Sequence, residues 1–310
     1  MKCLVTGGAG FIGSHIIGRL LQQHQDVICL DNFDPYYDPR IKNQNVSLFL
    51  QNERFTLING DILDKKLLRN LLLNVDVIFH EAAQAGVQIS VKNPMKSHKV
   101  NATGTLNLLE SAIKADVKRF IFASSSSVYG DVKYLPFDEC HPTHPVSPYG
   151  VSKIMAEQYC RIFNELYGIS SVVLRYFTVY GPRMRPDLAI NIFTKNALKN
   201  KPLTIFGTGN KTRDFTYIDD IVEANMLVLT KGNGVYNVGG GHRVSIQEIA
   251  EKIIEITGSS SIIQFKNSKK GDAEHTFADT TKAFQDFGWR PKISLENGLK
   301  RYIEWVSTYQ

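Results

Sequence analysis

The chain lacks the features that mark several protein classes. Its 310 residues hold four cysteines and two tryptophans. Cys3, Cys29, Cys140 and Cys160 are scattered, without the paired spacing of metal ligands. They read as free thiols of a reduced, cytoplasmic protein, not as a disulfide framework or a metal site. No apolar run approaches the roughly 20 residues needed to cross a bilayer, so no membrane partner is expected. The N-terminus enters an apolar run at once, without the basic segment and small-residue cleavage site of a signal peptide. Charge of one sign is scarce: 36 Lys and Arg stand against 30 Asp and Glu, a net +6. The cations are spread out, their densest cluster is Lys266, Lys269 and Lys270, and no basic helix carries interleaved aromatics. That pattern speaks against nucleic acid and suits small phosphorylated ligands. Low-complexity tails, linkers and repeats are missing too. With 43% hydrophobic residues the chain can bury a large core, as one big domain or two lobes.

What is present begins five residues in. The stretch Val5-Thr6-Gly7-Gly8-Ala9-Gly10-Phe11-Ile12-Gly13 follows an apolar run and opens an amphipathic segment to Leu21. Gly7, Gly10 and Gly13 have the spacing of a dinucleotide-binding turn. The first allows the tight turn, the second lets the backbone approach a pyrophosphate, and the third lets helix pack on strand. The diphosphate is then expected on free N–H groups at the helix start. The next run, Val27 to Leu30, ends in Asp31, where an acid can bond both ribose hydroxyls. A carboxylate there repels a 2′-phosphate, which points to NAD over NADP. Gly8, Ala9, Asn32 and Phe33 supply no cation, and Arg40, beyond two prolines, is the one weighed for folding back.

Apolar runs at Lys2–Thr6, Val27–Asp31, Phe55–Asn59, Val75–His80, Arg119–Ser124 and Ser171–Tyr176 alternate with helical patterns at Lys65–Leu73, Asn101–Ala115 and Tyr149–Tyr167. This predicts an α/β fold, a Rossmann-type doubly wound parallel sheet covered on both faces. Gly7, Asp31, Asp61, His80 and Ser124 fall at strand ends and are read as one ligand-binding rim. After Tyr176 the rhythm loosens. Strands at Leu203–Phe206, Val235–Val238 and Ile262–Phe265 mix with helices at Ser245–Thr257 and Ser294–Ser307. The expected division is a dinucleotide-binding domain over 1–177, to which 213–240 returns, and a smaller substrate-binding lobe over 178–310.

Tyr149 and Lys153 are four apart at the start of a predicted helix, so they share one face. A free Tyr, with a pKa of about 10, is a poor base at neutral pH. A nearby ammonium favours the phenolate, which could take a hydroxyl proton while a nicotinamide takes the hydride. The run Ala123-Ser124-Ser125-Ser126-Ser127-Val128-Tyr129-Gly130 follows an apolar strand on the same rim and offers hydroxyls for a substrate oxygen. His80 is read as a satisfied histidine at the sheet edge.

Together these segments resemble the extended short-chain dehydrogenases that act on nucleotide sugars. The resemblance covers nearly the whole chain. It is carried also by Gly60-Asp61-Ile62, His80-Glu81-Ala82-Ala83, Asn101 with Gly104-Thr105, Arg213-Asp214-Phe215 and Gly271-Asp272. It implies that Asp61 and Ile62 flank an adenine, and that Phe11, Ile12, Asn32, Ala82, Ala83 and Asn101 join the cofactor site. Ser125 would bond the sugar at its reacting carbon. Tyr149 would be the base, and Lys153 would hold the nicotinamide ribose and tune the tyrosine. Arg185, Arg213, Lys269 and Asp272 would contact uridine and diphosphate. A homodimer through the helices at Asn101–Ala115 and Tyr149–Tyr167 is implied as well.

Dehydratases of that family carry an Asp-Glu pair where Ser126 and Ser127 stand, and the decarboxylases carry Glu at the second position. This chain has neither carboxylate, which leaves epimerization of a UDP-sugar at C4 through a 4-keto intermediate. Asp31-Asn32-Phe33 with Tyr36-Tyr37-Asp38-Pro39, Ala82-Ala83-Gln84-Ala85-Gly86-Val87 and Phe177-Thr178-Val179-Tyr180-Gly181-Pro182-Arg183 are most similar to UDP-glucuronate 4-epimerases. Ser126, Ser127 and Thr178 would then hold the sugar carboxylate. Lys269 departs from the uronate pattern, which keeps UDP-glucose or UDP-N-acetylglucosamine as the alternative. A non-catalytic NAD sensor is the remoter one; loss of Tyr149 or Lys153 would favour it, and both are present.

Overall fold

The computed structural model describes residues 1–130, 132–268, 271 and 273–309. Six of the apolar runs form β1 (Lys2–Thr6), β2 (Asp26–Asp31), β3 (Phe55–Asn59), β4 (Val77–His80), β5 (Arg119–Ser125) and β6 (Ser170–Tyr176). A seventh strand, Gly234–Val238, lies beside β6. The order across the sheet is Gly234–Val238, β6, β5, β4, β1, β2, β3, with every pair parallel. The chain reverses direction of winding between β1 and β4, which opens a crevice at their carboxyl ends.

The strands read as unbroken apolar runs because both faces are buried. Cys3, Val5, Cys29, Phe79 and Ile121 pack on one side with Ile16, Ile17 and Leu20 of α1 (Phe11–Gln22). Leu4, Ile28, Ile78, Phe120 and Val173 pack on the other. Their partners there are Leu108 and Leu109 of the helix Gly104–Lys114, and Ala156 and Cys160 of the helix Pro148–Tyr167. Each Val, Leu, Ile or Phe side chain among them contributes about 1.5–3 kcal/mol when fully buried.

Helix starts follow their capping residues. In α2 (Pro39–Ser47) the Asp38 side chain accepts from the Arg40 N–H at 2.9 Å, and proline opens the first turn. The helix Pro148–Tyr167 is capped by Ser147, which accepts from Gly150 N–H at 3.2 Å, and it ends at Gly168 with φ 72°. The helix expected from Asn101 starts later. Lys99–Thr103 forms a wider π turn and the α-helix runs from Gly104 to Lys114. Gly104 packs closely there: a Cβ would lie 2.5 Å from Ile62 Cδ1, which would have to shift.

After β6 the elements are short. Val179–Tyr180 pairs with Thr216–Tyr217, Thr212–Asp214 with Arg243–Ser245, and Leu203–Phe206 with Ile263–Lys266. The helix Ile218–Leu227 packs against α1. Among the described residues no helix is long and apolar enough to cross a membrane.

Candidate active site

The glycine turn is built as tightly as its spacing requires. Gly7 has φ +65°, and a Cβ on it would sit 2.7 Å from the Ala82 backbone. A Cβ on Gly13 would sit 2.5 Å from Gly7 O, so helix and turn can approach only without side chains. No side chain caps α1 and no acid occupies its first turn, which leaves its N–H groups open towards the crevice. Asn45 of α2 holds the turn from outside, donating to Ala9 O at 3.0 Å.

One end of the crevice is lined by Asp31, Asn32, Asp61, Ile62, Ala82 and Ala83. Asn32 Nδ2 donates to Asp61 Oδ2 at 2.9 Å, which joins the two strand ends. Asp31 accepts from the N–H groups of Ala9 (3.2 Å) and Phe33 (2.8 Å). Its other partner is Lys42, whose ammonium lies 3.1 Å from Oδ1. The cation that folds back is thus Lys42, not Arg40, which pairs with Asp38 in solvent. The reason is the pitch of α2. Lys42, Asn45 and Val46 are three and four apart and form its inward face, whereas Arg40 points out.

The crevice continues past Gly10, Phe11, Ile12 and Gly13 to Ala123, Ser124, Tyr149, Lys153 and Tyr176. There it meets a second hollow lined by Ser125, Ser126, Ser127, Thr178, Arg185 and Arg213. Tyr149 and Arg185 stand at the junction, since both line both spaces. Ser125 and Tyr149 both line this second hollow, and Ser125 Oγ donates to Ser127 Oγ and accepts from Ser127 N–H, each at 3.1 Å.

Electrostatics at the junction differ from the sequence expectation. Burial in the cleft raises the Tyr149 pKa, and Arg185 and Ser125 are what pull it down. Lys153 does not touch the phenol oxygen. Its ammonium donates to Ala123 O at 2.7 Å and lies 5.9 Å from the centre of the Tyr149 ring. Burial lowers the Lys153 pKa to about 8, against Glu81 and Glu157, which raise it. Arg185 stays firmly protonated although burial opposes its charge, because Asp187 accepts from it at 2.9 and 3.0 Å. Burial also pushes the Glu81 carboxyl up to about 7, while the Tyr176 hydrogen bond and Lys153 pull it down.

Several expected residues do not face the crevice. His80 is wholly buried, off the rim. Thr105 Oγ1 donates to Asn101 O at 2.6 Å, so it accepts from His80 Nε2, and Thr6 Oγ1 then donates to Nδ1 at 2.7 Å. The ring is neutral, its pKa lowered to about 3 by burial and then by Lys153. Asn101 is 1% exposed; it accepts from Gln84 N–H at 2.7 Å and donates to Gln84 O at 3.2 Å, so it shapes the loop rather than lining the cleft. Ser124 turns its hydroxyl onto Glu157. Arg213 lines the second hollow but spends its guanidinium on the carbonyls of Thr212, Ala273 and Glu274. Lys269 and Asp272 lie outside the described residues. Sequence reasoning missed Lys42 and gave Glu81 no role. For Lys42 the signal was available: Asp38-Pro39 announces a helix, and its inward face includes residue 42.

Taken together, the first crevice fits a dinucleotide. It has a side-chain-free turn at an uncapped helix start, an acid at each of two strand ends, and a Tyr/Lys pair at the far end. Among the described residues no cluster of His, Cys, Asp and Glu could hold a metal ion.

Comparison with known proteins agrees with this geometry. The profile of the family described as GDP-mannose 4,6 dehydratase matches residues 4–302. A putative UDP-glucose 4-epimerase of Methanocaldococcus jannaschii is 40% identical over 308 residues, which span 98% of this chain and 97% of that protein. The fold matches the crystal structure of a UDP-glucuronic acid 4-epimerase from Bacillus cereus in complex with UDP-glucuronic acid and NAD. The TM-score is 0.95 at 39% identity, with 100% of both chains covered. A UDP-glucose 4-epimerase of Thermotoga maritima, crystallised with UDP-glucose, gives a TM-score of 0.93 at 39% identity over 99% of each chain.

Proposed function

This chain belongs to the extended short-chain dehydrogenases of nucleotide sugars, through the family described as GDP-mannose 4,6 dehydratase, and from that premise we propose that it is an NAD-dependent UDP-sugar 4-epimerase preferring UDP-glucuronate. The observation that carries this reading is the junction itself, where Tyr149 and a hydroxyl loop meet with no carboxylate in the loop. Dehydration needs an acid and a base to expel water after oxidation, and Ser126 and Ser127 supply neither.

In this reading Gly7, Gly10, Gly13, Phe11 and Ile12 hold the diphosphate, and Asp31, Asn32, Asp61 and Ile62 hold the adenosine. Ala82 and Ala83 line the crevice from the adenosine end onward, and Lys153 borders the nicotinamide half. NAD, when bound, supplies a hydride acceptor for C4 and gives the hydride back. Ser125 would orient the C4 hydroxyl, and Tyr149 would take its proton and return it to the C4 oxygen once the keto sugar has turned its other face to the hydride. The second hollow holds the nucleotide sugar, with Arg185 and Arg213 as cations for its diphosphate. The same reading places the dinucleotide-binding domain at 1–177 with 213–240, and the sugar-nucleotide lobe in the rest of 178–310.

The choice of sugar rests on the hydroxyl cluster. Oxidation of a uronate at C4 makes a β-keto acid, which loses CO₂ when the breaking bond aligns with the carbonyl π system. Short neutral donors can hold the carboxylate so that this bond stays near the carbonyl plane, then release it for turnover. Ser126, Ser127 and Thr178 line the hollow and offer such donors. UDP-glucuronate is therefore expected to show a higher kcat/KM than UDP-glucose, measured as epimer formed without added reductant and without net NADH. Thr178→Val should lower the uronate value more than the glucose value. One lost hydrogen bond to a charged group costs about 1.5–3 kcal/mol, roughly tenfold or more. Efficient turnover of UDP-glucose with none of UDP-glucuronate would hand the cluster to a sugar 6-hydroxyl instead.

Action in the cytoplasm and a homodimer complete the proposal. The four cysteines stand unpaired, as a reducing compartment keeps them. Val91, Met95 and Val151 expose apolar side chains beside the helix Pro148–Tyr167, as a subunit contact requires. Light scattering should give twice the 34.9 kDa chain mass; a monomer at micromolar concentration would refute the dimer.

A further inference from the structure

The chemistry above leaves the Glu81 carboxylate without a task. Glu81 is the first residue past β4, and its N–H donates to Thr6 O at 3.1 Å, which fixes it at the floor of the crevice. The side chain borders the inner end of that crevice together with Ala123, Tyr149, Lys153 and Tyr176. The Tyr176 hydroxyl donates to Glu81 Oε1 at 3.0 Å, and Asn225 Nδ2 donates to that hydroxyl at 2.8 Å. The carboxylate is therefore held in place by a two-step chain from β6 and the helix Ile218–Leu227.

Charge bookkeeping at this end is uneven. The Lys153 side chain is buried, and its one hydrogen bond among the described residues goes to a neutral carbonyl. Two carboxylates lie near it, Glu157 and Glu81. Glu157 is committed elsewhere: Arg175 donates to its two oxygens at 3.0 and 2.7 Å, and Ser124 donates as well. Glu81, in contrast, accepts only from the neutral Tyr176 hydroxyl among the described residues. When ionised, above the value of about 7 to which burial raises it, its negative charge is thus the one left to face the site. With adenosine at the Asp31 and Asp61 end and the diphosphate at the start of α1, the nicotinamide of a bound cofactor falls at the end that Glu81 borders.

We propose that Glu81 is a positioning residue of the redox site, whose ionised carboxylate biases bound nicotinamide towards its positive, oxidised form. This rests on the reading of the crevice as an NAD site for hydride transfer. In that transfer the C4 hydrogen leaves with its electron pair and cancels the ring's positive charge, while the hydroxyl proton goes to Tyr149. An epimerase must reverse both moves before product leaves. The ionised Glu81 carboxylate at that end of the crevice would favour the reversal and disfavour a stranded reduced cofactor.

The test is a redox titration of the holoenzyme, with reduced cofactor read at 340 nm against a dye couple of known potential. At a fixed poise and at a pH above the value of about 7 at which Glu81 ionises, Glu81→Gln should raise the bound NADH-to-NAD ratio by about tenfold or more, as expected for removing one charge within about 10 Å at an effective dielectric of about 20. Glu81→Leu should shift it the same way, so a folding defect in one variant does not leave the question open. Glu81→Asp, which keeps the charge, should stay within about threefold of the unmodified protein. An unchanged ratio in the Gln and Leu variants overturns the proposal, and so does an equal shift in the Asp variant, which would make the effect one of shape. An unmodified protein that neither carries nor takes up NAD would instead refute the NAD reading on which the proposal stands.

Discussion

Replacing Tyr149 by Phe is expected to lower kcat by about 10²–10⁴-fold while the fold and the bound cofactor persist. The substitution removes one oxygen and leaves a ring of the same shape at the head of a capped helix. Tyr149 stands where the two hollows meet, beside the serine loop. Lys153 cannot replace it as base, because its ammonium is turned onto Ala123 O. Since burial raises the Tyr149 pKa, the phenolate is the minority form at neutral pH. The base form is the active one, so kcat/KM of the unmodified protein should climb with pH as Tyr149 ionises. That climb should vanish in the Phe variant. Steady-state rates over a pH series decide the matter; a Phe variant within tenfold of the parent kcat would remove Tyr149 from its role.

The largest loss of stability is expected from Arg175→Met. Arg175 and Glu157 are 4% and 3% exposed and form a two-pronged ion pair between β6 and the helix Pro148–Tyr167. Arg175 also donates to the Tyr129 hydroxyl at 2.9 Å and lies 4.7 Å over its ring. Methionine fills the space but strands the Glu157 carboxylate in a dry interior. Breaking such a pair on one side costs about 3–5 kcal/mol, whereas replacing both partners by apolar groups is often neutral. Urea denaturation should thus show a large drop in midpoint for Arg175→Met and a much smaller one for Arg175→Met with Glu157→Met. Equal drops in the single and double variants would mean that the stranded charge is not the cause.

Much of the first half was legible because its physics is local. A strand buried on both faces has to be a short apolar run, and Lys2–Thr6 and Phe55–Asn59 have the same ends in sequence and structure. The turn at Gly7 was legible for a similar reason, since its close approaches admit only glycine. The later strands were harder. Val179–Tyr180 and Thr216–Tyr217 are two residues each, too short for any periodicity to show. The π turn at Lys99–Thr103 left no trace in the periodicity; within it Asn101 bonds Gln84 of a distant segment, a contact only the fold shows. Electrostatics were the least legible. The Tyr149/Lys153 spacing placed both groups on one face, but only the fold shows that Lys153 bonds a strand carbonyl and that Arg185, thirty-odd residues on, is the cation facing the phenol.

The edge strand Gly234–Val238 has a bearing on how the protein is made. While the ribosome has delivered only as far as β6, that strand's outer row of N–H and C=O groups has no partner. The Tyr129 hydroxyl likewise lacks its acceptor, Asn237 Oδ1, which it later meets at 2.6 Å. An unpaired parallel edge of this kind invites pairing with another nascent chain. Residues 178–233 must be synthesised before the edge is covered. A fragment cut after residue 177 should therefore be a poor expression product, and a holding chaperone would find its target at β6 during that interval.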